Sequence, residues 1–226
     1  MTLLSAIFYF LSQHELLSMP LLVLAGLAIG ALIARFSGNG AWLALGGVDF
    51  VFGMINVFTG SMINALFLDA YGTYGSAVII HAEETNSQLN DQNIWAYDVV
   101  MKTADGRDIK TGFDTMSASL YPVRNAIDIP PTGERFVVKY IPGYERNIAI
   151  MRDESPFGKR LLIAEARVPV DRAAAQLAAS PDNDAFKQEY REALLLFLAR
   201  HQEDAEPGLI AHYREELDAL TGVETN

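Results

Sequence analysis

Residues 16–34 read LLSMPLLVLAGLAIGALIA, nineteen residues without a charged side chain. At about 1.5 Å of rise per residue such a helix extends roughly 28 Å, close to the hydrocarbon thickness of a bilayer. Pro20 falls in the first turns, where a missing N–H costs little. The run stops at Arg35, and Ser37-Gly38-Asn39-Gly40 then reads as a tight turn. A second run, Ala41 to Leu68, carries one charge, Asp49, and its part beyond that residue, Phe50 to Leu68, is long enough to span alone. Two adjacent runs of this kind predict a transmembrane helical hairpin over residues 1–71. The alternative is a helical hairpin buried in a soluble core.

Working outward, Asp49 follows Gly46-Gly47 and is expected at the membrane interface, away from the costly bilayer centre. Trp42 on one side and Tyr71 and Tyr74 on the other suit interfacial aromatic belts. Arg35 is the only basic side chain near either run, and none follows until Lys102. The positive-inside rule therefore puts the 35–41 loop in the cytoplasm of a bacterial inner-membrane protein and the soluble part in the periplasm, with the reverse as the alternative. The first residues lack the basic region and cleavage site of a signal peptide. Leu3, Leu4, Ile7, Phe8 and Leu11 oppose Thr2, Ser5, Tyr9 and Ser12, which predicts a short helix lying in the interface.

Two features of the hairpin offer packing surfaces. Gly26-x-x-x-Gly30 permits close helix approach. Asp49, Gly53, Asn56, Gly60 and Asn64 recur every three or four residues and form a small and polar stripe. The stripe reads either as packing on the first span, its amides bonded across the helix pair, or as an ion path or partner surface.

After Gly72 the periodicity becomes alternating. Ser76 to His81 and Ile94 to Thr103 read as strands, the second with Trp95, Tyr97, Val99 and Met101 on one face. Asp105-Gly106 marks a hairpin into residues 108–114, and Phe136 to Ile141 pairs with Asn147 to Met151 across Pro142-Gly143. About five antiparallel strands over residues 72–152 predict a small barrel or a curled sheet. Trp95 and Tyr97 are candidates for an interaction face, although alternating aromatics usually belong to a core.

The motifs Gly72-x-x-Gly75, Tyr97-x-Val99, the Asp-Gly hairpin, and Pro130, Gly133, Val138, Tyr140, Pro142 and Asn147 come in a suggestive order. This stretch resembles a broad family of uncharacterised bacterial membrane proteins with a small β domain after N-terminal transmembrane helices. The resemblance covers about a third of the chain and departs at the 84–93 loop and around residues 115–129. It implies an anchored β domain, and no activity or catalytic residue that carries over.

Residues 160–226 form an acidic helical tail. Of the net charge of -11, -7 sits in residues 161–226, with six cations against thirteen anions. Phe186, Tyr190, Leu194 and Phe197 keep helical spacing behind an Asp182-Asn183-Asp184 cap. Pro207 opens a last helix that ends before Gly222, and an earlier one is expected over Asp171–Ala179. Phe186, Tyr190 and Phe197 are further interaction candidates.

The acidic balance and the lack of basic–aromatic interleaving argue against nucleic acid. With no cysteine, thiol chemistry is absent. No nucleophile elbow, phosphate loop or dinucleotide fingerprint occurs. His201 and His212 lie near several acids without metal-ligand spacing, so no metal or cofactor is expected. The composite reading is a membrane α+β protein of three parts, non-enzymatic, whose partners are the bilayer and either another protein or itself. A small oligomeric transport component using the stripe is the alternative, and a membrane-anchored hydrolase ranks below it.

Overall fold

The computed structural model describes residues 1–89 and 91–222. Asn90 of the expected 84–93 loop and residues 223–226 of the tail lie outside them. The chain divides into two compact units, Met1–Phe157 and Gly158–Asn226.

The first unit opens with three apolar helices, α1 (Thr2–Gln13), α2 (Glu15–Ser37) and α3 (Leu45–Tyr71), with a 3-10 turn over Gly40–Ala44. Both α2 and the stretch Gly40–Tyr71 are long and apolar enough to cross a membrane. Helix α2 ends where Gly38 takes φ 70°, a left-handed cap that its missing Cβ permits. Asn39 then accepts the N–H of Ala41 at 2.9 Å and starts the next turn. Helices α2 and α3 run antiparallel, with Met19 beside Gly53 and Trp42 beside Gly30. Helix α1 lies against the other half of α3 rather than alone, with the Phe8 ring 4.7 Å from Phe67.

The sheet follows α3 after a single residue, Gly72. Its strands are β1 (Thr73–Leu89), β2 (Gln92–Lys102), β3 (Asp108–Asp114), β4 (Leu120–Tyr121), β5 (Arg135–Ile141) and β6 (Tyr144–Met151), in the order β3-β2-β1-β5-β6-β4. This corrects the expected five-stranded antiparallel barrel on three points. Among the described residues there are six strands, β4 runs parallel to β6, and the sheet is open. It is nonetheless curled. Thr111 Oγ1 on β3 donates to the Arg146 carbonyl on β6 at 2.7 Å, and Arg107 Nη2 reaches Glu145 Oε1 at 2.9 Å. Side chains, not a backbone ladder, hold those two edges together.

Residues 84–89, expected as loop, extend β1, which pairs with β2 as far as Leu89 and Gln92. Polar composition hid this part of the hairpin because it is exposed on both faces and buries no alternating row. Between β4 and β5 the Tyr121–Pro122 peptide is cis. Inward rows of alternating residues make the core: Ala77 and Ile79 of β1 stand opposite Met101 and Val99 of β2, and Phe136 opposite Ala77 on the other side. The row that includes Trp95 and Tyr97 leaves the core along β2: Val99 and Met101 are buried, Tyr97 is half-buried against Phe113, and Trp95 is exposed.

The second unit is three helices, α4 (Pro156–Ala179, beginning in the last residues of the first unit), α5 (Asp184–His201) and α6 (Pro207–Thr221). Their apolar faces bury Val170, Ala173, Tyr190, Leu194, Phe197, Ile210 and Tyr213 in one cluster. Asn183 caps α5, accepting from Ala185 N at 3.0 Å and Phe186 N at 3.4 Å. Helix α4 starts well before the expected Asp171, because it runs through Pro169. An interior proline removes one helical hydrogen bond and ordinarily signals a boundary.

Candidate functional site

The first unit concentrates its buried polar chemistry along one line, the side of α3 that carries the Asp49–Asn64 stripe. At its lower end the stripe meets α2 through missing side chains. A Cβ at Gly53 would stand 3.0 Å from the Met19 Cα, and one at Gly26 would stand 2.9 Å from the Leu45 carbonyl oxygen. Gly30 sits against the Trp42 backbone in the same way. These close approaches are what Gly-x-x-x-Gly spacing provides in membrane helices. Asp49, in the second turn of α3, packs against Gly26, eleven residues from either end of α2, and is half-buried. Among the described residues no hydrogen bond or ion pair engages its carboxylate.

In the middle of the stripe, Asn56 Nδ2 donates to the Leu11 carbonyl at 2.9 Å and to Ser18 Oγ at 3.0 Å. Leu11 belongs to the last turn of α1, whose carbonyls have no partner within the helix. One amide from α3 therefore ties down the break at His14 between α1 and α2. Gly60, next on the stripe, brings the Leu11 carbonyl to within 3.0 Å of where a Cβ would stand.

At the upper end the stripe joins the sheet. Asn64 Nδ2 donates to Asn147 Oδ1 and Asn147 Nδ2 donates back to Asn64 Oδ1, both at 2.8 Å. The second hydrogen of Asn64 goes to Ser119 Oγ at 2.8 Å, and that of Asn147 to the Ser5 carbonyl and Oγ at 3.1 Å. All four amide hydrogens are used, and Asn64, Asn147, Ser5 and Ser119 are all buried. This closed amide pair bolts α1, α3, β6 and the 117–119 loop together. One turn further on, Lys139 Nζ donates to Asp69 Oδ1 at 2.6 Å and to the Asp69 carbonyl at 2.8 Å, 4.8 Å above the Tyr74 ring. Burial pulls the Lys139 ammonium down, but the Asp69 hydrogen bond and charge outweigh it and hold its pKa above the usual value. The same carboxylate, by hydrogen bond and charge, pushes the Tyr121 hydroxyl up.

The burial pattern of the three helices is inverted relative to a water-soluble core. In α1 the buried residues are Ser5 and Ser12, and in α2 they are Ser18, Gly26 and Gly30. In α3 they include Gly46, Gly53, Asn56, Gly60 and Asn64. The large apolar side chains point out: Leu3 is 75% exposed, Leu16 83% and Phe58 75%, with Leu24, Ile29, Leu32, Val51 and Ile55 among their neighbours. Residues 3, 4 and 7 of α1 therefore face outward while its serine side faces the protein, opposite to a soluble amphipathic helix.

Cavities flank these elements in both units. A groove of about 340 Å³ opens beside α3 where the 115–127 loop approaches it, and Glu15, Phe58, Met62, Val123, Arg124 and Ile127 are among its walls. In the second unit a recess of about 420 Å³ lies between α4 and α6, with Arg167, Asp171, His212 and Glu216 at its rim. Tyr190 and Phe197 are buried in the core of that bundle, where Tyr190 donates to Glu216 Oε2 at 2.8 Å, and Phe186 is half-buried. Burial and that carboxylate push the Tyr190 hydroxyl up. Of these three interaction candidates, two are thus structural. His212 Nε2 stands 3.7 Å from Glu216 Oε1, while the His201 ring lies on Phe197. Among the described residues no three His, Asp or Glu side chains gather as metal ligands.

Sequence reasoning missed Ser5, Ser18, Ser119, the Asp69–Lys139 pair and the groove. Ser5 is legible on the polar side of α1, and that side packs into the protein; nothing in the pattern of α2 or of residues 115–129 singles out Ser18 or Ser119. Asn147 was noticed only as strand punctuation. No protein-family model, curated protein or solved structure matches the chain, so its function is read from its own geometry.

Proposed function

We propose that this chain is a membrane-anchored accessory protein of the bacterial envelope, acting by interaction rather than catalysis, with its sheet and helical bundle as the working parts. The observation that carries the reading is the inverted burial of α1–α3. A buried soluble hairpin would put Leu and Ile inside; here Ser, Gly and Asn fill the contacts between the helices and most Leu, Ile and Phe side chains point outward, Phe67 and Leu68 being buried where the end of α3 meets the sheet. In water each outward side chain would forgo about 1.5–3 kcal/mol of burial, whereas in lipid the arrangement is the ordinary one. Two spans return the chain to the side where it began, so both soluble parts share one compartment. Arg35 in the short loop supports a cytoplasmic loop and a periplasmic sheet and bundle.

Because the chain has no cysteine, single introduced cysteines test this directly. In intact cells and inverted vesicles, Asn39→Cys should react with an impermeant maleimide from one side only, and Gly106→Cys from the opposite side. Leu24→Cys, on the outward side of the middle of α2, should react from neither. Release of the protein by alkaline carbonate, or labelling of Asn39→Cys and Gly106→Cys from the same side, defeats the reading.

A second reading is favoured by one observation, the Asp49 carboxylate beside the middle of α2 with no hydrogen bond or ion pair to any described residue: a small oligomeric transport component. The amides of Asn56 and Asn64 are consumed by internal bonds, which weighs against a continuous path. If transport is nevertheless the function, Asp49→Asn abolishes flux in liposomes.

A further inference from the structure

The groove beside α3 supplies a ligand class that the accessory reading leaves open, and the inference rests on that membrane reading. Ser18 of α2 is bonded to Asn56 of the antiparallel α3, which sets Glu15, one turn earlier, at the depth of Phe58–Met62. Glu15 begins the first apolar run, so this depth is where the hydrocarbon gives way to headgroups. The groove opens here between a membrane helix and a loop of the soluble part, and its walls carry Val123 and Ile127, both exposed apolar side chains on that loop. Two side chains of opposite charge interrupt the apolar wall. Arg124 is anchored through Nη2 to Asp153 Oδ2 at 2.7 Å. Glu15 is half-buried; its backbone carbonyl accepts from Ser18 Oγ at 2.7 Å, and its carboxylate has no hydrogen bond or salt bridge to any described residue.

We infer that this groove binds one zwitterionic phospholipid, its acyl chain against Phe58, Met62 and Ile127, its ammonium on Glu15 and its phosphate toward Arg124. The volume suits a chain segment rather than a whole lipid, the rest remaining in the bilayer. An unpaired carboxylate in a largely apolar recess at headgroup depth selects for a cation, and an ammonium able to donate hydrogen bonds satisfies it better than a quaternary amine. The occupant is accordingly an ethanolamine lipid, and an anionic glycerol lipid is disfavoured by the same carboxylate.

The full-length protein, extracted in mild detergent and exchanged free of native lipid, is titrated with dioleoyl phosphatidylethanolamine or dioleoyl phosphatidylglycerol. Bound species are counted by native mass spectrometry. The expected result is one saturable ethanolamine-lipid adduct, preferred several-fold over the glycerol lipid. Ser61→Trp, which places an indole in the groove, should weaken the adduct by about tenfold, or 1.4 kcal/mol. Glu15→Gln, nearly identical in shape, should keep the adduct and bring the two headgroups to parity, so the test stays readable if the tryptophan variant misfolds. Equal uptake of both lipids by the unaltered protein, or a preference that survives Glu15→Gln, overturns the inference. A chain that remains in solution without detergent fails earlier, and overturns the membrane reading instead.

Discussion

Replacing Asn64 by Leu removes half of a closed amide pair and strands the other half. Asn147 Oδ1 loses its donor and one Asn147 Nδ2 hydrogen loses its acceptor, while the other hydrogen keeps Ser5. Each buried group left unpaired costs about 1–3 kcal/mol, so the single change should cost about 2–6 kcal/mol. Asn147→Leu should cost a similar amount, since it strands Asn64 in the same way. The double variant removes both stranded amides, and deleting both partners of a buried pair is far cheaper than deleting one. It should therefore be at least about 2 kcal/mol more stable than the two single costs would sum to. The chain has two tryptophans, Trp42 in the hairpin and Trp95 on β2. Trp42→Phe leaves Trp95 as the sole fluorescence reporter of the sheet during denaturant unfolding in detergent. Single costs that add within about 0.5 kcal/mol, as they do for independent sites, would refute the closed pair.

Three other outcomes follow from the same contacts. Asn56→Ala, whose bonds lie between helices, should cost only about 0.6 kcal/mol and no more than about 1.7 kcal/mol, because helix–helix bonds in membranes are worth that little; thermal unfolding in detergent reads it. Gly53→Ala should destabilise the hairpin, since the new methyl meets the Met19 backbone, while Gly47→Ala, with open space around it, should be neutral or stabilising by up to about 1 kcal/mol; the same melting curves compare them. The Gly143 N–H and then Arg107 hold the Glu145 carboxyl below its usual pKa of 4.5. Its contribution to stability is therefore full above about pH 4.5 and is lost as pH falls through the lower folded value. Glu145→Gln should flatten that acid limb, and an unchanged limb rules the contact out as its source.

The hairpin was legible because apolar run length is a one-dimensional property, readable at Leu16–Ala34 without any knowledge of partners. The bundle was legible for a related reason: Tyr190, Leu194 and Phe197 repeat at helical spacing, and Asn183 and Pro207 mark helix starts. The curl that brings β3 beside β6 through side chains was not, since alternation does not encode it. Nor was the role of Asn64. Its position on the stripe was plain, but its partner Asn147 lies 83 residues away and is the same polar residue a turn would use. That α1 turns its serine side to α3 was not legible either, because amphipathicity fixes a helix's two faces without saying which of them meets the protein.

Only Gly72 separates the end of α3 from the start of β1, and it is held between the Leu68 carbonyl and Lys139. The sheet therefore has no swivel relative to α3. Helix α3 is 27 residues long, about 40 Å at 1.5 Å per residue, so it acts as a lever whose far end is the sheet. A change of about 10° in its lean, of the kind that a thicker or thinner bilayer imposes, would carry that end sideways by roughly 7 Å. Bilayer thickness would then be converted into a lateral displacement of whatever the sheet holds.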